Sequence, residues 1–301
     1  MIRGAKPARA RRLAAIAAVA GVLAGCATAD GEAPPDKTVL PPDSQREGRL
    51  LAEIHRALDA KRVDDASPML ERLLFINPRS VEGHLAAARM HLLQGRHRLA
   101  IQSYEPLLDD PKVGARAHEG MGIAQLQSGD HEAARSHLAT AVERDPGLWR
   151  AWNALGYVHD SAREWDEAEA SYARALEARP DSAEVLNNRG FSRLLRGRYE
   201  DAIGDFRAAL DAAPASKVAR MNLRIALAWL GRYVEALAGV APPDLPGVLN
   251  NVGYVAMLKG DYATAESYFT RAMEISPSYN TAAASNLRRL EEIRVGQKAS
   301  Q

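Results

Sequence analysis

The sequence predicts an all-α fold, a solenoid of about seven helical hairpins with a C-terminal capping helix. Alanines stand at Ala66, Ala100, Ala134, Ala168, Ala202 and Ala236, each 34 residues after the last, and again after a shortened step at Ala265. Glycine recurs mid-unit at Gly95, Gly129, Gly197, Gly231 and Gly260, and proline closes units at Pro78, Pro146, Pro180, Pro214 and Pro277. The composition is 47% hydrophobic but only 6% aromatic, which supplies both a core and an alanine-rich helical chain. A fixed period of this length marks units that each leave an apolar face exposed and bury it only by stacking.

The elements follow in chain order. Residues 1–25 read as a lipoprotein signal peptide: Arg3, Lys6, Arg9, Arg11 and Arg12 carry no acid among them, Leu13 to Ala24 is apolar, and Leu23-Ala24-Gly25-Cys26 is a lipobox. A twelve-residue apolar run spans about 18 Å, too short for an ordinary membrane helix, so cleavage is expected. Cys26 is the single cysteine, which rules out an internal disulfide, a thiolate cluster and a CxxC redox pair. It is the expected lipid-attachment residue, and two or three acyl chains there give stable anchoring. By resemblance to lipoproteins generally, Ala27 rather than aspartate after it points to the outer membrane. Residues 26–46 form a tether whose Pro34-Pro35 and Pro41-Pro42 favour extended geometry, reaching up to roughly 60 Å into the periplasm.

The solenoid occupies residues 47–279, with units near 47–80, 81–114, 115–148, 149–182, 183–216, 217–245 and 246–279. Within each, alanines and Gly156, Gly190 and Gly253 let two helices approach closely, and larger residues fill the gap to the next pair. Three prolines perturb the pattern. Pro106 falls in the second helix of the second unit and should end it early, at a cost of about 3 kcal/mol otherwise. Pro68 is expected near a helix start, where it is tolerated. In the sixth unit Pro242, Pro243 and Pro246 are expected to cut the second helix short and leave residues 236–247 irregular. Residues 280–295 read as the capping helix, and 296–301 as a tail.

The clearest unit is RAWNALGYVHDSAREWDEAEASYARALEARP, residues 150–180. Its Trp152, Leu155 and Gly156 on one helix, with Ala168, Tyr172, Ala175 and Pro180 on the next, resemble the tetratricopeptide repeat. His159 takes the usual tyrosine position and Arg163 replaces the turn glycine. The resemblance covers about four fifths of the chain and implies a binding scaffold, not a catalyst.

Charge and motifs agree with that. The chain carries +1 overall, but without the five basic residues of the leader, 34 basic residues face 38 acidic ones, a balance unsuited to nucleic acid. His84, His91 and His97 lie close in sequence without a third ligand at a metal-binding offset, and neither HExxH, a GxSxG elbow nor a P-loop occurs. No catalytic residue, metal, cofactor or small-molecule substrate is expected.

Tetratricopeptide arrays line their concave face with the first helix of each unit, at positions two, five, six, nine and twelve or thirteen. Position five here gives Asn153, Asn187 and Asn250; position six gives Asn188, Asn222 and Asn251; position nine gives Tyr157, Phe191, Ile225 and Tyr254. Amides that donate and accept, interleaved with rings, suit an extended peptide. The alternative is that the asparagines serve neighbouring helices of the stack. Leu51, His55, Leu85 and Arg89 stand at these positions in the first two units, so partner binding is expected in units four to seven.

Lipobox, proline-rich tether, repeat number and the stretches ARMNLRIALAWLGRYVEA and LNNVGYVAMLKGDYATAESYFTRAMEISPSYN together resemble the TadD lipoproteins of tight adherence (Flp) pilus systems, best over residues 217–293. That resemblance implies an outer-membrane scaffold that assists assembly of the pilus or its secretin. Two other readings share anchor and groove: a type IV pilus secretin pilotin, and an adaptor that recruits peptidoglycan hydrolases.

Overall fold

The computed structural model describes residues 44–276 and 280–299. The leader, Cys26, the tether up to residue 43, residues 277–279 and the last two residues lie outside them. Among the described residues there is no strand, and no helix is long and apolar enough to cross a membrane.

Of the fifteen α-helices among the described residues, the first fourteen pair in order. Helices α1 (Ser44–Asp59) and α2 (Val63–Ile76) form the first hairpin, α3 (Val81–Leu93) and α4 (His97–Tyr104) the second, and α5 (Gly114–Gln127) and α6 (His131–Arg144) the third. Then follow α7 (Trp149–Ala162) with α8 (Trp165–Ala178), α9 (Ala183–Leu195) with α10 (Tyr199–Ala212), α11 (Lys217–Trp229) with α12 (Tyr233–Leu237), and α13 (Leu245–Leu258) with α14 (Tyr262–Ile275). Helix α15 (Asn280–Ala299) packs on α14 and α13 as the cap. Consecutive hairpins stack so that α1, α3, α5, α7, α9, α11 and α13 lie side by side.

Local chemistry sets the boundaries. Ser80, Ser182 and Ser216 cap α3, α9 and α11 by accepting from the backbone N–H three residues on, and Asp130 and Asp261 do the same for α6 and α14. Each such cap contributes about 1 kcal/mol. Every hairpin turn contains one left-handed residue: Gly95, Gly129, Gly197, Gly231 and Gly260 as expected, but Lys61 (φ 56°) and Arg163 (φ 60°) in the first and fourth.

The periodic alanines are the axis of the core: Ala66, Ala100, Ala134, Ala168, Ala202, Ala236 and Ala265 are all fully buried. Four residues after three of them, a large ring fills a glycine notch on the partner helix. A methyl group at Gly156 would come 2.6 Å from the Tyr172 ring, at Gly190 2.8 Å from Phe206, and at Gly253 3.0 Å from Phe269.

The proline expectations hold at two sites and fail at one. Helix α4 stops at Tyr104 and gives way to a 3-10 turn, Glu105–Leu107, around Pro106. Helix α12 has only five residues and ends before Gly239 (φ 63°) and the two prolines beyond it. Pro246 instead opens α13. Pro68 lies inside α2, past its first turn, so the Asp64 carbonyl loses its intrahelical donor there. Packing of Leu70 and Leu73, both buried, holds that helix continuous through the proline.

Candidate peptide-binding groove

The side-by-side first helices enclose a cleft of about 1150 Å³ that runs over the first five units. Its floor is apolar, with Leu58, Leu85, Ile123 and Ala154, and its walls are charged or amidic. Of the asparagine and aromatic positions singled out in the sequence, Asn153, Tyr157 and Asn188 line this cleft. Asn187, Phe191, Asn222, Asn250, Asn251 and Tyr254 lie further along the array, on α9, α11 and α13.

The asparagines are wired to one another across units. Asn153 Nδ2 donates to Glu184 Oε1 (3.1 Å), Asn188 to Asn153 Oδ1 (3.1 Å), Asn187 to Asn188 Oδ1 (3.4 Å) and Asn222 to Asn187 Oδ1 (3.0 Å). One continuous amide ladder therefore ties α7, α9 and α11. It weakens at the sixth unit because Met221 stands at position five; Asn251 donates there only to its sulfur, at 3.5 Å, a poor acceptor. A second rung begins beyond, where Asn286 of α15 donates to Asn250 Oδ1 (3.0 Å). The capping helix thus extends the array as an eighth first helix. Each ladder amide uses one of its two N–H groups and at most one acceptance, so donor and acceptor capacity remain for a peptide backbone. Asn153 is 7% exposed, while Asn187, Asn188 and Asn222 are half-buried, and the Tyr157 and Phe191 rings stand out at 51% and 44%.

The first four units supply different chemistry. Arg89 of α3 donates to Asp59 Oδ1 at 2.6 Å, and Arg150 of α7 to the same oxygen at 3.3 Å. Burial would raise the Asp59 pKa, but the hydrogen bond and charge of Arg89, with the charge of Arg150, outweigh it and hold the carboxyl below its ordinary value. Glu119 of α5, between those helices, is pushed up by burial, against Arg150, the Ala151 amide and Arg89. Arg116 pairs with Glu82 through both nitrogens. The guanidiniums of Arg150 and Arg179 lie 4.7 and 4.9 Å from the Trp149 ring centre.

Arg89 was visible in the sequence only as a departure from the asparagine column. The convergence of Asp59 with Arg150 had no sequence signal, since the two are separated by more than two units. The cleft consequently extends toward the N-terminal units, beyond the stretch where the asparagine column placed binding.

Among the described residues no group of three or more His, Cys, Asp or Glu side chains surrounds a common point. His84 Nε2 pairs with the Pro78 carbonyl at 2.9 Å. A histidine pair that the spacing did not suggest, His118 and His137, meets Nδ1 to Nδ1 at 2.8 Å between α5 and α6.

The tetratricopeptide repeat model matches residues 51–112, 119–183 and 154–217, and a second model of that repeat matches 246–279. Among solved structures, the chain is similar to the Cut9–Hcn1 hetero-tetramer of the APC/C, with 17% identity and a TM-score of 0.59 over 79% of this chain. It spans about half, 48%, of the chain it matches there. It is also similar to TTC0263, a thermophilic TPR protein of Thermus thermophilus, with 25% identity and a TM-score of 0.51 over 64% of this chain and 98% of that one. No curated protein matches the chain.

Proposed function

The chain belongs to the tetratricopeptide repeat family, and from that premise we propose that it is a lipid-anchored periplasmic scaffold of the outer membrane. Its groove holds an extended segment of a protein partner, and the partner is a component of a Flp-type pilus, its secretin first. The repeats make the chain a protein-interaction scaffold; anchor and partner are the further step. The observation that carries the groove reading is the amide ladder: asparagines half-buried on adjacent first helices keep unused donors and acceptors beside exposed Tyr157 and Phe191. The lipobox ending at Cys26 supports the anchor, and the sequence from residue 217 to 293 supports the pilus.

The test is capture of the acylated protein from crosslinked envelope, with partners identified by mass spectrometry. A secretin or other pilus component should be recovered, and lost with Asn187→Ala combined with Asn250→Ala while helicity is kept. Recovery of cell-wall hydrolases instead would replace the pilus by the adaptor reading. Cys26→Ser should release the protein from the membrane fraction; a variant still acylated would sink the anchor.

A further inference from the structure

The cleft over the first four units holds a charge arrangement that the amide ladder does not use. Two guanidiniums from non-adjacent units, Arg89 and Arg150, aim at a single oxygen of Asp59. Asp59 itself sits on α1 with its side chain 54% exposed, while Arg89 is only 25% exposed. Arg89 is thus the built part of the cluster, while Arg150, with its side chain 39% exposed, and Arg179, exposed, are open to a ligand alongside the carboxylate. A third guanidinium, Arg179, shares the Trp149 ring with Arg150 and has no ion-pair partner among the described residues.

The remaining charges do not cancel this excess. Glu119 is a further acid beside these arginines, and burial weakens its ionised form. Arg116 is already matched by Glu82, whereas Glu184, which accepts from the neutral Asn153 amide, keeps its charge at the cleft. His55 is kept toward its neutral form, chiefly by burial, with Arg89 and Arg116 adding to the effect against Glu82 and Asp59. Lys61 adds a further cation at the cleft and Asp181 a further acid.

We propose that Arg89, Arg150 and Arg179 form a binding site for an acidic peptide segment, and that Asp59 is an internal occupant whose place a ligand carboxylate takes. Arginine suits the task because its planar fork matches a carboxylate and stays charged. An ion pair as exposed as that of Asp59 contributes little, so exchange for a ligand carboxylate costs little. The apolar floor formed by Leu58, Leu85 and Ile123 fits a peptide that alternates acidic with apolar side chains, and Asn153 and Asn188 continue the track for its backbone. The inference rests on the peptide-groove reading and deepens it with a second, chemically distinct half.

Fluorescence anisotropy of the full chain with a labelled, amidated Ser-Glu-Leu-Glu-Ser-Glu-Leu-Glu peptide tests it, against the same peptide with Gln for Glu. The acidic peptide should bind at least about tenfold more tightly, and salt should weaken it. Asp59→Asn should tighten binding severalfold, whereas Arg150→Ala should abolish it. Since Asp59→Asn removes a contact between units, circular dichroism checks its fold. Arg179→Gln, which breaks no ion pair, provides an independent variant and should weaken binding. Equal affinity for the Gln peptide, or weaker or unchanged binding by a folded Asp59→Asn chain, overturns the proposal. Envelope capture that succeeds while the acidic peptide fails leaves the scaffold standing and removes only this site.

Discussion

Arg163 and Lys61 show what a single residue contributes to a periodic fold. Five of the seven hairpin turns place glycine in the left-handed region, and these two place long side chains there, at φ 60° and 56°. An L-residue pays about 1–2 kcal/mol for that conformation, partly returned because glycine loses more chain entropy on folding. Arg163→Gly should therefore stabilise the fourth hairpin by up to about 1 kcal/mol, read as a higher urea midpoint. An unchanged or lower midpoint would mean that the Arg163 side chain contributes a contact that offsets the strain. A second residue-scale effect is titration at the His118–His137 pair. Burial, then Arg144 and His137, hold His118 down to about 4 against a weaker pull from Asp109, and burial lowers His137 as well. The unfolded chain takes up these protons near pH 6.5, so their contribution is complete above about 6.5 and drains away toward pH 4. The melting temperature should fall between pH 7 and pH 5, and His118→Gln with His137→Gln should flatten that slope. Some slope should persist through His55, which is also lowered.

At the scale of the element, a recurring feature is the pairing of a glycine notch with a ring. Where a unit keeps both, as Gly156 with Tyr172 or Gly190 with Phe206, its second helix runs a full fourteen residues. The sixth unit has Arg224 at the notch position, and its second helix stops after five. The guanidinium donates to the Ala236 and Ala238 carbonyls at 3.0 and 3.3 Å, satisfying acceptors at the end of α12 that its own chain leaves open. Arg224 and the prolines in VAPPDLP thus act together at this stop, and the sequence located the irregular stretch from the prolines alone, without the contribution of Arg224. Arg224→Ala removes two charge-assisted bonds and should cost about 2 kcal/mol, with amide exchange in α12 rising before that of α11. Uniform loss of protection over the molecule would assign Arg224 a global role. Gly156→Ala should cost about 1–3 kcal/mol by driving a methyl into the Tyr172 ring, measured by denaturant unfolding.

The whole molecule is a one-dimensional stack, so each unit is stabilised by its neighbours and the end units depend on caps. Helix α15 closes the C-terminal end by burying Ala283 and Leu290 fully against the seventh unit. Leu290→Ala should cost about 2–5 kcal/mol, and exchange should rise in α14 and α15 first. Equal destabilisation of the first unit would show that the array unfolds as a single block. The curvature of the stack brings Asp59 to Arg150, and this closure makes one end of the groove acidic-ligand chemistry while the asparagine ladder makes the other amide chemistry.

The sequence by itself determined the helical hairpins, their number, the buried alanine axis and most turns, because these depend on spacing within 34 residues, where local sterics and burial of one helix face decide. It also identified the asparagine column on α7, α9 and α11, since equivalent positions in a repeat fall on equivalent surfaces. Only the tertiary structure decided how those amides join from unit to unit, that Arg224 donates to carbonyls at the end of α12, and that Asp59 meets arginines of the second and fourth units. Such contacts depend on the small rotation between successive hairpins summed over several units, a quantity set by packing volumes and carried by no single stretch of chain.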